Sequence, residues 1–203
     1  MTTIQDLDFS KSYTYADYLK WTFEETVELI QGKLSRMAAP STPHQDVLRS
    51  LFSKADRFLE KNSCKLFCAP FDVRLIKPLL AKRKSDSDIV TVVQPDLCIV
   101  CDLAKLDKRG CLGAPDLVME ILSKSTATKD QREKFEVYEE SGVREYWIID
   151  IEHKSILLNY LEENGKYRTQ RPLTIGDTVT SHIFSDFLFP VEDIFRGILE
   201  FED

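Results

Sequence analysis

The stretch from Asp116 to Asp150 constrains the fold most. A short apolar run, Asp116-Leu-Val-Met-Glu120-Ile-Leu122, leads into a polar segment with helical spacing from about Thr126 to Glu140, which stops at Ser141-Gly142. A second apolar run follows, Glu145-Tyr-Trp-Ile-Ile-Asp150. Two neighbouring strands joined through a helix run parallel, because the helix carries the chain back to the end from which it left. This predicts a mixed α/β fold with buried strands at its centre.

The rest of the chain adds strands and helices to that unit. Ile89 to Val93 and Leu97 to Val100 are β-branched runs split by Gln94-Pro95-Asp96, and read as further central strands. Val27-Glu28-Leu-Ile30, Gln31-Gly32 and Lys33 to Met37 read as a hairpin. Ser41 or Thr42 caps the longest helix, with Pro43 in its first turn and Val47, Leu48, Leu51, Phe52, Ala55, Phe58 and Leu59 at three- and four-residue steps. Thr14 caps a shorter one that runs to about Trp21. Lys65 to Ile76 is expected as one strand, burying Phe71, Val73 and Leu75 and exposing Asp72, Arg74 and Lys77; Lys82 to Asp88 is an exposed loop. Beyond Asp150 come further strands and an irregular tail. The 203 residues are read as a single domain, about the first 12 of them loose.

Composition narrows the function. With 27 basic and 34 acidic residues the formal charge is -7, against an electrostatic nucleic-acid wrapper but compatible with an enzyme that meets phosphate through a bound metal. No apolar run approaches the roughly 20 residues of a membrane span. Five cysteines, an odd number, and no basic segment followed by an apolar run at the start point to a cytoplasmic chain. Cys98 and Cys101 have a C-x-x-C spacing, but an odd offset on a strand sends their side chains to opposite faces, against zinc or redox use. No nucleophile elbow, GxxxxGK[ST] or GxGxxG occurs, so a serine hydrolase or a nucleotide cofactor has no local support. Tyr146-Trp147 reads as sheet core rather than a base-stacking platform.

The informative exceptions are acids inside apolar runs. An ionised carboxylate in a buried sheet costs several kcal/mol unless it is paired or binds a metal. Asp96 opens one such run and Glu120 sits late in another, so antiparallel pairing would bring them together. Two carboxylates about 5 Å apart repel by roughly 3 kcal/mol at an effective dielectric near 20. A divalent cation would relieve that repulsion, and hard oxygen donors suit Mg²⁺ or Mn²⁺ rather than zinc. On the following helix Asp130, Lys134 and Tyr138 share a face at four-residue spacing, and a lysine there can reach back across the sheet end.

With these residues in view, the chain resembles the Uma-type restriction endonucleases of the PD-(D/E)xK nuclease superfamily. The resemblance rests on Val-Glu28-Leu-Ile-Gln-Gly-Lys, Pro40-Ser-Thr-Pro-His44-Gln45, Gln94-Pro95-Asp96 and Ala114-Pro-Asp-Leu-Val-Met-Glu120-Ile-Leu-Ser-Lys-Ser125-Thr126. It continues through Asp130, Lys134, Tyr138, Gly142-Val143 and Glu145-Tyr146-Trp147-Ile-Ile-Asp150, spanning about residues 13 to 195. It implies a restriction-endonuclease-like core, a mixed sheet flanked by helices with an N-terminal helix and hairpin. Asp96 and Glu120 would be the metal-binding acids, and Glu28 a further acid feeding the site from the N-terminal hairpin and holding a metal-bound water or a second metal ion. The superfamily's lysine stands two residues after the second acid, where this chain has Leu122. In the resembled family it moves to the next helix, which maps onto Lys134, with Lys124 as the competing position. His44 is read as a hydrogen-bonded helix residue, with a general base as its alternative role, and Gln45 likewise.

The expected activity is that of a Mg²⁺- or Mn²⁺-dependent endonuclease. It would hydrolyse phosphodiester bonds, in DNA rather than RNA, with Lys134 orienting or deprotonating the attacking water. Analogy with the superfamily adds a homodimer, with Trp21 or the C-terminal tail as interface. The rival expectation is a catalytically inactive nuclease fold that serves as a nucleic-acid or protein binding module.

Overall fold

The computed structural model describes residues 4, 7–22, 25–77, 85–122 and 129–199. Helix α1 (Tyr15–Tyr18) starts at Thr14, whose hydroxyl and backbone N–H both donate to Asp17 Oδ2 at 2.9 and 3.1 Å. It ends earlier than the expected Trp21. Strands β1 (Val27–Ile30) and β2 (Lys33–Arg36) form the expected hairpin. Its turn residues Gln31 and Gly32 have φ of 51° and 82°, the primed turn whose twist matches the flanking strands. A Cβ on Gly32 would press on Ser12 and the Tyr13 carbonyl at 3.2 and 3.3 Å. Lys33 donates to the Ser10 and Lys11 carbonyls, which ties these residues of the segment read as loose to the hairpin, and Ile4 is buried.

Helix α2 (Thr42–Leu59) begins at Ser41, whose side chain accepts from the His44 N–H, with a proline in the first turn. Strands β3 (Lys65–Cys68) and β4 (Val73–Leu75) occupy the region expected as one strand. The run breaks at Ala69-Pro70, where proline has no N–H to give a ladder, and the two halves join different sheets. Arg74, expected to be exposed, is buried: its Nη2 lies 2.6 Å from Asp107 Oδ1, and its guanidinium lies over the Tyr15 ring.

The remaining elements are β5 (Thr91–Val93), β6 (Leu97–Val100), β7 (Leu106–Asp107), β8 (Gly110–Leu112), β9 (Leu117–Ile121), helix α3 (Lys129–Ser141), β10 (Glu145–Asp150), β11 (Ser155–Leu161), β12 (Tyr167–Thr169), β13 (Thr178–Thr180), β14 (Leu188–Pro190) and helix α4 (Glu192–Phe195). Where one central mixed sheet was expected, the described strands form two mixed six-stranded sheets and a small ribbon. The orders are β2-β1-β5-β4-β8-β7, β12-β11-β10-β9-β6-β3 and β13-β14. The β9–α3–β10 unit is the parallel crossover that the sequence predicts, with Glu145 beside Leu117 and Ile148 beside Glu120. Gly142, at φ 84°, ends α3 in the left-handed conformation that glycine adopts without strain, and the Val143 N–H caps the Tyr138 carbonyl.

Alternation along the strands sorts side chains onto the two faces of the second sheet. Leu97, Ile99, Leu117, Met119, Trp147 and Ile149 pack against Val47, Leu51, Ala55 and Leu59 of α2 and the C-terminal Phe187, Phe189 and Ile194. Cys98, Val100, Val118 and Ile148 face the other way, toward Val137 and Tyr138 of α3 and toward Val73, Leu75 and Val93 of the first sheet. Burying each such aliphatic side chain contributes about 1.5–3 kcal/mol, so helices and sheets are locked in register by these layers. One step beyond the Lys65–Val100 pair, Cys64 and Cys101 are joined by a disulfide, which the sequence reading did not anticipate. Cys98 lies buried in the opposite layer, in keeping with the expectation that 98 and 101 do not act as a pair. Among the described residues no helix is long and apolar enough to cross a membrane.

Candidate active site

The β6 and β9 strands are antiparallel with Leu97 opposite Met119, which sets Asp96, just before β6, beside Glu120 near the end of β9. Asp96 Oδ2 accepts from the Ile121 N–H at 2.7 Å. Its carboxylate also meets His44 Nε2 of α2 at 3.2 Å.

Glu120 has the same strand parity as Val118, so it faces α3. Lys134, one and a half turns into that helix, puts Nζ 2.9 Å from Glu120 Oε1 and 3.0 Å from Glu28 Oε1 on β1. Tyr138, four residues on and therefore on the same helix face, donates its hydroxyl to Glu120 Oε1 at 2.6 Å. Glu28 Oε1 also accepts the Gln94 N–H at 2.8 Å, from the segment that leads into Asp96. All four charged side chains are at most 15% exposed.

Burial dominates the electrostatics. It pushes the Glu120 carboxyl up to about 7; the Lys134 ammonium pulls the other way, while the neighbouring Asp96 and Glu28 charges add to the rise. For Lys134 burial works downward, but the carboxylates of Glu120 and Glu28 more than reverse it, and its value stands above that of an ordinary lysine. Burial and the same two carboxylates hold the Tyr138 hydroxyl well above an ordinary tyrosine, so it acts as a donor. With all three acids ionised against one ammonium, the group carries two net negative charges.

These side chains sit at a cavity of about 570 Å³. Asp96, Glu120, Lys134, His44 and Gln45 line it, together with Tyr146, Gln94, Arg36 and an apolar rim that includes Met37, Leu48, Pro70 and Leu122. Glu28 is not part of the lining, and its contacts are to Lys134 and the Gln94 N–H. The structure thus brings Asp96, Glu120 and Lys134 to one cavity and sets Glu28 behind the lysine. Lys124 lies outside the described residues. Among the described residues no cluster of three or more His, Cys, Asp or Glu side chains is arranged to hold a metal ion. The Tyr138 contact to Glu120 was not foreseen, although its four-residue spacing from Lys134 is the signal that points to it.

Comparison with known proteins agrees with this arrangement of elements. Residues 15–192 match the family Uma2, described as "Putative restriction endonuclease". The chain belongs to the Uma2 family. Its fold is also that of a solved protein from Anabaena variabilis ATCC 29413, described as "a putative nuclease belonging to DUF820". The two share a TM-score of 0.71 at 16% sequence identity, over 92% of this chain and 99% of that one. No curated protein matches the sequence. The mixed α/β fold expected from the sequence and the Uma2 resemblance are therefore both met.

Proposed function

We propose that this Uma2 chain acts as one restriction-endonuclease-like unit, a metal-dependent nuclease that hydrolyses phosphodiester bonds in DNA. The observation that carries the reading is the convergence on a single cavity of Asp96 from the segment leading into β6, Glu120 from β9 and Lys134 from α3. The donor set fits a divalent cation: two hard carboxylates line the cavity, and three acids share a single lysine ammonium, so ionisation of Glu120 leaves the group in negative excess. Asp96 and Glu120 would hold Mg²⁺ or Mn²⁺, which would supply Lewis-acid stabilisation of a phosphoryl oxygen and a more acidic water.

The chain's own residues do the rest. Lys134 is kept protonated by Glu120 and Glu28, so it acts as a cation and hydrogen-bond donor toward the phosphate or the attacking water and not as the base. Glu28, out of the cavity lining, fixes the direction of that ammonium. Tyr138 holds Glu120 by its short hydrogen bond. The same proposal takes a homodimer as the acting unit, since cutting both strands of a duplex calls for two such sites.

The experiment is cleavage of supercoiled plasmid, single-stranded DNA and RNA with Mg²⁺ or Mn²⁺, by the wild type and Glu120→Gln. Nicking or linearisation by the wild type alone supports the reading. Binding of nucleic acid without cleavage under any condition would replace it with the inactive binding module.

A further inference from the structure

His44 stands where the longest helix meets the cavity. It is the third residue of α2, and it is 7% exposed. Its Nε2 lies 3.2 Å from the Asp96 carboxylate, while Nδ1 is buried with no hydrogen-bond partner among the described residues. A buried ring nitrogen without a partner destabilises the fold, and an apolar side chain of the same volume would fill the space without that penalty. Nor does α2 depend on the histidine to dock, since Val47, Leu51, Ala55 and Leu59 bury against the sheet. The imidazole is therefore poorly explained by packing and well explained by its contact with Asp96.

Asp96 needs such a contact. It precedes β6 and lies outside the strand itself, and its carboxylate sits beside the like charge of Glu120. The Ile121 N–H restrains it from one side, on the backbone of β9. Donors on two rigid elements fix a carboxylate's direction where one leaves it free to swing.

We propose that His44 is a positioning residue: its Nε2–H, acting with the Ile121 N–H, holds the Asp96 carboxylate turned toward Glu120, ready to share a divalent cation. The inference rests on the metal-centre reading above for the cation, and on the metal-free geometry for the orientation.

The test uses His44→Met, which keeps the volume without a donor, and His44→Gln, whose amide N–H reaches as far as Nε2. Three quantities are measured on the full chain: Mn²⁺ affinity by calorimetry, the unfolding midpoint of the metal-free protein, and the position of Asp96 in a crystal structure of metal-free His44→Met. His44→Met is expected to unfold at or above the wild-type temperature, to bind Mn²⁺ about 10- to 100-fold more weakly and to show Asp96 turned away from Glu120. His44→Gln is expected to stay within about threefold of wild-type affinity. Wild-type Mn²⁺ affinity in His44→Met, or a His44→Gln as weak as His44→Met, would overturn the proposal. So would an unmoved Asp96 carboxylate in the His44→Met crystal. If the wild type itself takes up no Mn²⁺, the metal-centre reading fails, and the position of Asp96 alone then decides the role of His44.

Discussion

Two buried glutamates on neighbouring parallel strands face opposite fates. Glu145, at the start of β10, is fully buried and its carboxylate accepts four hydrogen bonds. They come from Trp147 Nε1 and the Ser181 hydroxyl, both at 2.6 Å, and from the His182 and Ile183 N–H groups, both at 3.1 Å. Glu120, at the other end of β9, borders an open cavity, shares Lys134 with Glu28, and is pushed up to about 7. The first glutamate is saturated with donors and ties the C-terminal segment to the sheet. The second is short of donors and crowded by like charge, which leaves it ready to take a cation. The same residue type in the same sheet is structural at one end and, on the function proposed above, chemical at the other, because of what faces it.

The widest separation between the two ends is expected in cleavage. Glu120→Gln should lower it more than about a thousandfold, with circular dichroism unchanged. Glu145→Gln should leave cleavage within about threefold at a temperature where it is folded, since distant sites act independently. Next, Lys134→Met should reduce cleavage by about 10²- to 10³-fold, as loss of a preorganised donor does, and plasmid nicking rates read this directly.

At the saturated end the effect is on stability. Glu145→Ala strands four donors and should cost about 3 kcal/mol, or roughly 6–12 °C in the melting midpoint of a chain this size. A drop of that size in Glu120→Gln instead would collapse the distinction between the two glutamates. A smaller gain is expected from Leu122→Lys in a Lys134→Ala background. Leu122 lines the same cavity, so a lysine there should restore about tenfold of the lost cleavage.

A separate effect is expected in the pH dependence of the metal-free protein. The folded-state value of Glu120 stands above its ordinary 4.5, at about 7, so between those values the folded chain holds more protons there than the unfolded chain. Stability therefore falls as pH rises from 4.5 to about 7, and this part of the slope should vanish in Glu120→Gln. Lys134 adds no slope in that window, because the stability that its raised value contributes is fully present and constant below the ordinary 10.5 and is lost only above it. Urea midpoints across the range measure both variants.

Much of this was legible because it is periodic or local. The parallel β9–β10 crossover follows from the order of apolar and helical runs, and the meeting of Asp96 with Glu120 follows from strand pairing. Lys134 beside Tyr138 is a four-residue helical step. What escaped is non-local. Glu145 reads as one more strand residue until Ser181 and His182, some 36 positions on, fold over it. The Cys64–Cys101 pair depends on the register of β3 against β6, which spacing alone does not reveal. The break at Pro70 was visible as a residue type, yet the alternation of Phe71, Val73 and Leu75 concealed it, and Arg74 is buried because a distant Asp107 meets it. Glu28 could be placed near the site, but its turn toward Lys134 and away from the cavity lining emerges only when β1, α3 and the Gln94 segment pack together.

The most direct measurement is Mn²⁺ titration calorimetry at about pH 8, where Glu120 is ionised, on the wild type, Glu120→Gln and Glu145→Gln. Binding in the wild type and in Glu145→Gln, and none in Glu120→Gln, is the expected result. Equal heats from the wild type and Glu120→Gln, or no Mn²⁺ uptake by any of the three, would contradict a metal centre at Asp96 and Glu120.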